Sequence, residues 1–253
     1  MSGEALAVVI LAAGEGKRMR SDLPKVLHPL CGRPMIAYVL DAARALEPER
    51  LVVVVGHKGD QVRAALGDGV LYAEQRERLG TGHAVLQARE ATNNCKTVLV
   101  LYGDMPLLRA ETLSTLYQSY RSGKGPLAML VVRGNVSRGF GRIVRDGMGR
   151  VSAIIEEAEC TPDQLTIQEF NPGVYCFDAD WLWSHLPQLP LHRGKGDDGE
   201  YFLTDLVSTA VAEGHIVRDT LILDPSEAIG INTPEHLVEA EAILVRRLKE
   251  REA

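Results

Sequence analysis

Ala5 to Leu11 is an unbroken apolar run rich in Val and Ile, and it ends in Ala12-Ala13-Gly14. That pattern predicts a strand buried on both faces, delivering a loop at its carboxyl end. The loop extends from Gly14 to about Arg33. Pro34 then sits where a first helical turn tolerates proline, and Met35, Ile36, Val39, Leu40, Ala43 and Leu46 recur at helical spacing. The rhythm repeats. Leu51 to Val55 reads as a strand, Asp60 to Leu66 as a helix, Val70 to Ala73 as a strand, and Thr81 to Glu90 as a helix capped by Thr81. Thr97 to Tyr102 is the next strand and Ala110 to Arg121 the next helix. Strands alternating with helices in this way predict an α/β fold: an open, mostly parallel Rossmann-like sheet covered by helices on both faces, with ligands at the strands' carboxyl ends. Gly14, Gly56 and Gly103-Asp104 all fall at such ends.

After Leu127 the texture changes. Arg142 to Arg145 and Val151 to Glu156 flank the turn-forming Asp146-Gly147-Met148-Gly149, which predicts a hairpin. Gln164 to Phe170 and Gly173 to Phe177 are further strand candidates, so the second half is expected to form a smaller antiparallel lobe. The final helix starts with Thr233 as cap and Pro234 as first residue. Leu237, Ala240, Leu244 and Leu248 form its apolar stripe, and Arg246, Arg247 and Lys249 lie near its end. That stripe suits packing on the sheet or pairing with another copy, so a homo-oligomer is left open. The expected organisation is a body over 1–232, with halves 1–126 and 127–232, and a terminal helix over 233–253.

At 253 residues, a quarter of them charged, the chain is long enough to bury a substantial core. Its formal net charge of −6 argues against a nucleic-acid binder, which usually carries a basic face. Any phosphate must therefore be gripped locally. Cys31, Cys95, Cys160 and Cys176 are widely spaced and form neither a zinc pattern nor a disulfide framework. The first apolar run follows Glu4 and is too short for a membrane span. A cytoplasmic protein with no membrane partner is the expectation.

Chemistry concentrates at the predicted strand ends. Leu11-Ala12-Ala13-Gly14-Glu15-Gly16-Lys17-Arg18-Met19 places two glycines and two cations directly after a buried strand, a loop able to bring backbone amides against a polyphosphate. A third glycine for GxGxxG is missing, and Gly16-Lys17-Arg18 lacks the Lys-Ser/Thr of a P-loop. Taken alone, the turn also fits a structural role, and Lys25 in Asp22-Leu23-Pro24-Lys25 fits an ordinary surface lysine. Together, Arg18 and Lys25 share one loop where paired cations can neutralise a transferring phosphoryl group. Asp104, in Tyr102-Gly103-Asp104-Met105-Pro106, puts one carboxylate at the same edge. That suffices for a magnesium ion completed by water and substrate phosphates, and it equally fits a turn cap.

Leu11-Ala-Ala-Gly-x-Gly-x-Arg-Met19, Ser21-Asp-Leu-Pro-Lys-Val-Leu-His28, Leu79-Gly-Thr-Gly-His-Ala84 and Tyr102-Gly-Asp-x-Pro106 occur in that order. In this the chain resembles the uridylyltransferase domain of bacterial N-acetylglucosamine-1-phosphate uridylyltransferases, over nearly its whole length. The resemblance implies that Leu11, Ala12, Ala13, Gly14, Gln75, Gly80 and Thr81 hold UTP, with Gln75 reading the uracil edge. Arg18 and Lys25 would meet the phosphates, and Asp104 with Asn232 would hold Mg2+. Tyr102, Gly103, Gly141, Glu156 and Asn171 would contact the sugar 1-phosphate. Two departures lie in the sugar half: Ala158 stands where the family has a lysine, and Asn171-Pro172-Gly173 where it has Asn-Thr-Gly. Gly199-Glu-Tyr-Phe-Leu-Thr-Asp205 keeps the family's look, with an expected role that is mostly structural and leaves sugar-side contacts open.

The implied reaction is attack by the sugar phosphate on the α-phosphorus of UTP, giving UDP-N-acetylglucosamine, a cell wall precursor, and pyrophosphate. The nucleophile is already ionised near neutral pH, so no Ser/His/Asp or Cys/His constellation is needed. The rivals are the same chemistry on another base or sugar, a non-catalytic sugar-nucleotide sensor, and a scaffold. Full-length enzymes of the family continue into a left-handed parallel β-helix that acetylates glucosamine 1-phosphate. The hexapeptide repeat of such a helix does not occur here, so no acetyl-CoA-dependent activity is expected.

Overall fold

The computed structural model describes residues 5–193 and 199–252. In chain order its strands are β1 (Leu6–Ala12), β2 (Pro29–Leu30), β3 (Arg33–Pro34), β4 (Arg50–Val55), β5 (Leu71–Glu74), β6 (Thr97–Tyr102), β7 (Leu127–Arg133), β8 (Gly141–Arg145), β9 (Val151–Ile155), β10 (Glu169–Asn171), β11 (Tyr175–Asp178) and β12 (Arg218–Leu221). The helices are α1 (Met35–Arg44), α2 (Gly59–Leu66), α3 (Gly80–Leu86), α4 (Ala110–Arg121), α5 (Ala179–His185), α6 (Asp205–Ala212) and α7 (Pro234–Glu252).

β1 lies inside a ten-stranded sheet of order β5-β4-β1-β6-β11-β7-β10-β8-β9, in which β12 also pairs with β7. All seven residues of β1 are buried because both faces are covered. Ala7, Val9 and Leu11 enter one apolar cluster with Val85 of α3, Leu182 of α5 and Leu206 of α6. Val8, Ile10 and Ala12 enter the other, with Ile36 of α1, Val62 of α2 and Leu113 of α4. A fully buried Ile10 is worth about 1.5–3 kcal/mol relative to exposure. The β5-β4-β1-β6 half is parallel throughout. β11 then runs antiparallel to both β6 and β7, and β10, β8 and β9 continue antiparallel. The expected open α/β sheet is therefore present, mostly parallel at its core, with the antiparallel half continuous with it.

A third cluster joins α7 to the body. Ala240 is fully buried, and Leu237, Ile243 and Leu244 pack against Met19, Leu30, Met35, Leu107, Ile229 and Ile231. Leu248, assigned to the same stripe from sequence, is largely exposed. Thr233 caps α7 as expected, its hydroxyl accepting from the His236 N–H at 3.3 Å. No helix among the described residues is long and apolar enough to cross a membrane.

Several expectations need correction. Thr81 does not cap a helix: α3 begins one residue earlier, and the Thr81 hydroxyl accepts a hydrogen bond from the Leu203 N–H at 3.0 Å. A tertiary donor has taken the oxygen that a local cap would use. α3 also stops at Leu86, and a separate 3-10 turn covers Glu90–Thr92. Gln164 to Phe170 is not one strand. Gln164–Thr166 forms a 3-10 turn, tied by Thr161 N–H to Gln164 Oε1, and pairing begins only at Glu169. Pro34 precedes α1 in a short strand instead of opening its first turn. β7, β12, α5 and α6 are elements that the pattern above does not single out.

Candidate active site

The carboxyl ends of β1 and β6 meet in a cavity of about 500 Å³. Gly103 N–H donates to the Leu11 carbonyl at 2.9 Å, which brings the loop after β6 against the loop after β1. Gly103 is buried in that contact and does not line the cavity, whereas its neighbours Tyr102 and Asp104 do. Leu11, Ala12, Ala13 and Gly14 form the wall that follows β1.

Gly16 explains how the second half of this loop folds. Its φ of +67° is a left-handed conformation that glycine adopts without steric cost. A Cβ there would lie 2.7 Å from the Lys25 Cβ, so the glycine lets Lys25 pass close beneath the turn. Lys25 is no surface lysine: its side chain is 15% exposed and ion-paired with Asp104, itself 13% exposed. The same Nζ donates to Asn232 Oδ1 at 3.0 Å. Asn232 reaches this point because the Ile231 N–H donates to the Asp104 carbonyl at 2.9 Å, pinning one segment to the other. Buried Glu227 secures the approach by accepting from the Arg109 N–H at 2.9 Å. Arg247 of α7 donates to the Leu107 carbonyl and to Asp224.

Asp104 and Asn232 thus converge on a single cationic point, currently the Lys25 ammonium. Both donors are hard oxygens, the ligand class a magnesium ion takes, and one carboxylate is a normal complement when phosphates supply the rest. The residues present therefore fit Mg2+. Arg18 stands apart. It is exposed on the 3-10 turn Lys17–Met19 and does not line the cavity.

Gln75, another lining residue, is almost fully buried, its backbone N–H bound to the Val55 carbonyl at 2.8 Å. Its side-chain Nε2 donates to the Gly80 carbonyl at 3.0 Å and lies 3.2 Å from His83 Nδ1. Gly80, with φ +90°, allows Tyr201 to dock: a Cβ would lie 2.7 Å from the Tyr201 carbonyl oxygen. Tyr201 N–H donates to Leu79, and Gly82 N–H donates back to Tyr201, each at 2.8 Å. The segment after Gly199 therefore clamps Gly80-Thr81-Gly82 and adds Glu200, Phe202 and Thr204 to the cavity wall.

Gly141, Glu156 and Asn171 also line the cavity. Asn171 Oδ1 accepts from the Gly173 N–H at 3.0 Å, fixing the Asn-Pro-Gly turn. Glu156 Oε1 accepts from the Thr204 hydroxyl at 3.0 Å. Burial raises the Glu156 pKa; the Thr204 hydrogen bond opposes this, and the charges of Glu159, Asp205 and Glu200 add to it. Burial likewise holds the Tyr102 phenol well above its ordinary value, reinforced by Glu156 and Asp104, so it stays protonated.

Fourteen of the sixteen residues singled out from sequence line this one cavity; Arg18 and Gly103 do not. Sequence reasoning missed Arg78 and Phe140; Glu200, Phe202 and Thr204 belong to the segment expected to be mostly structural with sugar-side contacts left open, and they line the cavity. For Thr204 the retained Gly199 to Asp205 segment was the available signal, and for Phe140 it was the flanking Gly139 and Gly141.

The fold recurs in solved nucleotidyltransferases. CMP:2-keto-3-deoxy-manno-octonic acid synthetase complexed with CTP superposes with a TM-score of 0.69 at 19% identity, covering 96% of this chain and 99% of that one. A nucleotidyl transferase from Methanothermobacter thermautotroptrophicus gives 0.66 at 20% identity, covering 97% and 100%. The sequence profile of the MobA-like NTP transferase domain matches residues 8–204, and the chain belongs to that family. The Bifunctional protein GlmU of Ralstonia nicotianae is 46% identical over 242 residues, 95% of this chain and 52% of the relative. That of Chromobacterium violaceum is 45% identical over 246 residues, again 95% and 52%. The chain spans about half the length of the curated relatives it matches.

Proposed function

We propose that this chain transfers a uridylyl group from UTP to N-acetylglucosamine 1-phosphate and releases pyrophosphate. The observation that carries the reading is the convergence of Lys25, Asp104 and Asn232 in one cavity that Gln75, Glu156 and Asn171 also line. Identity to the GlmU proteins over nearly the whole chain supports the choice of substrates.

In the proposed reaction a sugar phosphate oxygen attacks the α-phosphorus of UTP, and the bond to the pyrophosphate leaving group breaks in line. Catalysis is positioning plus charge neutralisation. The backbone of Leu11 to Gly14, with Gly80 and Thr81, holds the nucleotide. Gln75 commits its amide nitrogen to the Gly80 carbonyl, so its carbonyl oxygen is the acceptor it offers. That suits the N3–H of uracil and not the N3 lone pair of cytosine. Tyr102, Gly141, Glu156 and Asn171 hold the sugar, and Gly103 sets the approach of the two loops. Asp104 and Asn232 would hold Mg2+, which would supply neutralisation of phosphate charge. Lys25, held beside the same two oxygens, meets the phosphates. Arg18, on the exposed turn Lys17–Met19, adds positive charge for the phosphates.

The test is Lys25→Met, assayed by pyrophosphate release from UTP and N-acetylglucosamine 1-phosphate. Removing a cation aimed at transition-state charge is expected to lower kcat by about 100- to 1000-fold. A variant that stays folded and turns over at the wild-type rate would overturn the mechanism.

A further inference from the structure

Outside the residues already given roles, one ion pair spans the nucleotide end of the cavity. Glu15 lies between Gly14, a wall residue, and Gly16, the residue packed on Lys25. Arg78 lies between Gln75 and Gly80, and it too lines the cavity. Arg78 Nη1 is bound to Glu15 Oε2, and Lys17 Nζ approaches the same oxygen at 3.4 Å. A carboxylate is thereby placed in the turn that would meet a polyphosphate. Alone it would repel that ligand, and here two cations neutralise it.

Resting on the function proposed above, we infer that Arg78 is a further nucleotide-binding residue that contacts the phosphates, with Glu15 as the counter-ion it gives up when the triphosphate arrives. A guanidinium pairs with carboxylate and phosphate through the same donor geometry, so the same group can serve both partners. The pair is partly exposed, with Arg78 at 58% and Glu15 at 29%. Pairs of this kind contribute little to stability, so breaking it costs little. Glu15 therefore sets how readily the site accepts a polyphosphate: it holds Arg78 in place before binding and competes with the ligand for it.

The test is calorimetric binding of UTP and of uridine to the wild-type protein and to the Arg78→Ala, Arg78→Lys and Glu15→Gln variants, with thermal melts alongside. Arg78→Ala is expected to weaken UTP roughly three- to tenfold and leave uridine unchanged, with Arg78→Lys between it and wild type. Glu15→Gln is expected to bind UTP more tightly than wild type, again with uridine unchanged. Equal loss of UTP and uridine in Arg78→Ala would overturn the inference, as would unaltered UTP binding in both Arg78→Ala and Glu15→Gln. A wild-type protein that binds no UTP would sink the proposed function itself, a failure visible before any variant is compared.

Discussion

Gly16→Ala tests how the first loop places Lys25. The substitution puts a Cβ at φ +67°, a left-handed conformation that costs an L-residue about 1–2 kcal/mol. It also puts that Cβ 2.7 Å from the Lys25 Cβ, about 0.7 Å inside ordinary van der Waals contact. The atom it meets is at the root of the Lys25 side chain, so a rotamer change at the far end gives no relief. Overpacking of this kind costs about 1–3 kcal/mol more. The two together predict about 2–5 kcal/mol of destabilisation, or roughly 4–20 °C in Tm for a chain of this size. Relief requires either loop to move by several tenths of an ångström, and misplacement by about 1 Å costs a catalytic group on the order of 100-fold. A fall in kcat of about 10- to 100-fold should therefore accompany the lower Tm. Gly14→Ala is the control for stability, since a Cβ there meets nothing within 4 Å. Its Tm should shift by no more than about 1–2 °C, the effect of a substitution worth under ~0.5 kcal/mol. Differential scanning calorimetry and initial rates at saturating substrates give both quantities. If Gly16→Ala melts and turns over like wild type, the glycine does not position Lys25 and the account of the loop is wrong.

Asp104→Asn removes the carboxylate proposed for Mg2+, and the Mg2+ concentration for half-maximal rate should rise at least about tenfold; an unchanged titration would remove Asp104 from the site. Glu156 has a pKa raised by burial, so the native state binds its proton more tightly than the unfolded chain does. Stability from this group is therefore present below the ordinary carboxylate value and is lost as pH rises through the raised native one. Glu156→Gln should accordingly melt higher than wild type at pH 7, with the gap closing as pH falls toward 4, while its KM for the sugar phosphate rises. A gap independent of pH would refute the assignment.

The parallel half of the sheet was legible in sequence because β1, β4 and β6 are covered on both faces and read as continuous apolar runs. Their glycine-bearing carboxyl ends had to share one edge, which is why motifs far apart in the chain line one cavity. Lys25 was legible as a loop cation but not as a buried one, because its partners lie 79 and 207 residues away. Thr81 was misread as a cap because Leu203, 122 residues on, supplies its partner. Phe202 and Thr204 come from a segment visible in the sequence, but its docking on Gly80 rests mainly on backbone hydrogen bonds, so its place in the cavity wall was not legible.

The most direct test of the central claim is a matrix of UTP, CTP, ATP, GTP and dTTP against N-acetylglucosamine 1-phosphate, glucosamine 1-phosphate and glucose 1-phosphate, read as pyrophosphate release in the presence of Mg2+. The account predicts the highest kcat/KM for UTP with N-acetylglucosamine 1-phosphate and a clear preference for UTP over CTP with every sugar. Equal rates with CTP and UTP would contradict the role given to Gln75, and no pyrophosphate from any pair would contradict nucleotidyl transfer altogether.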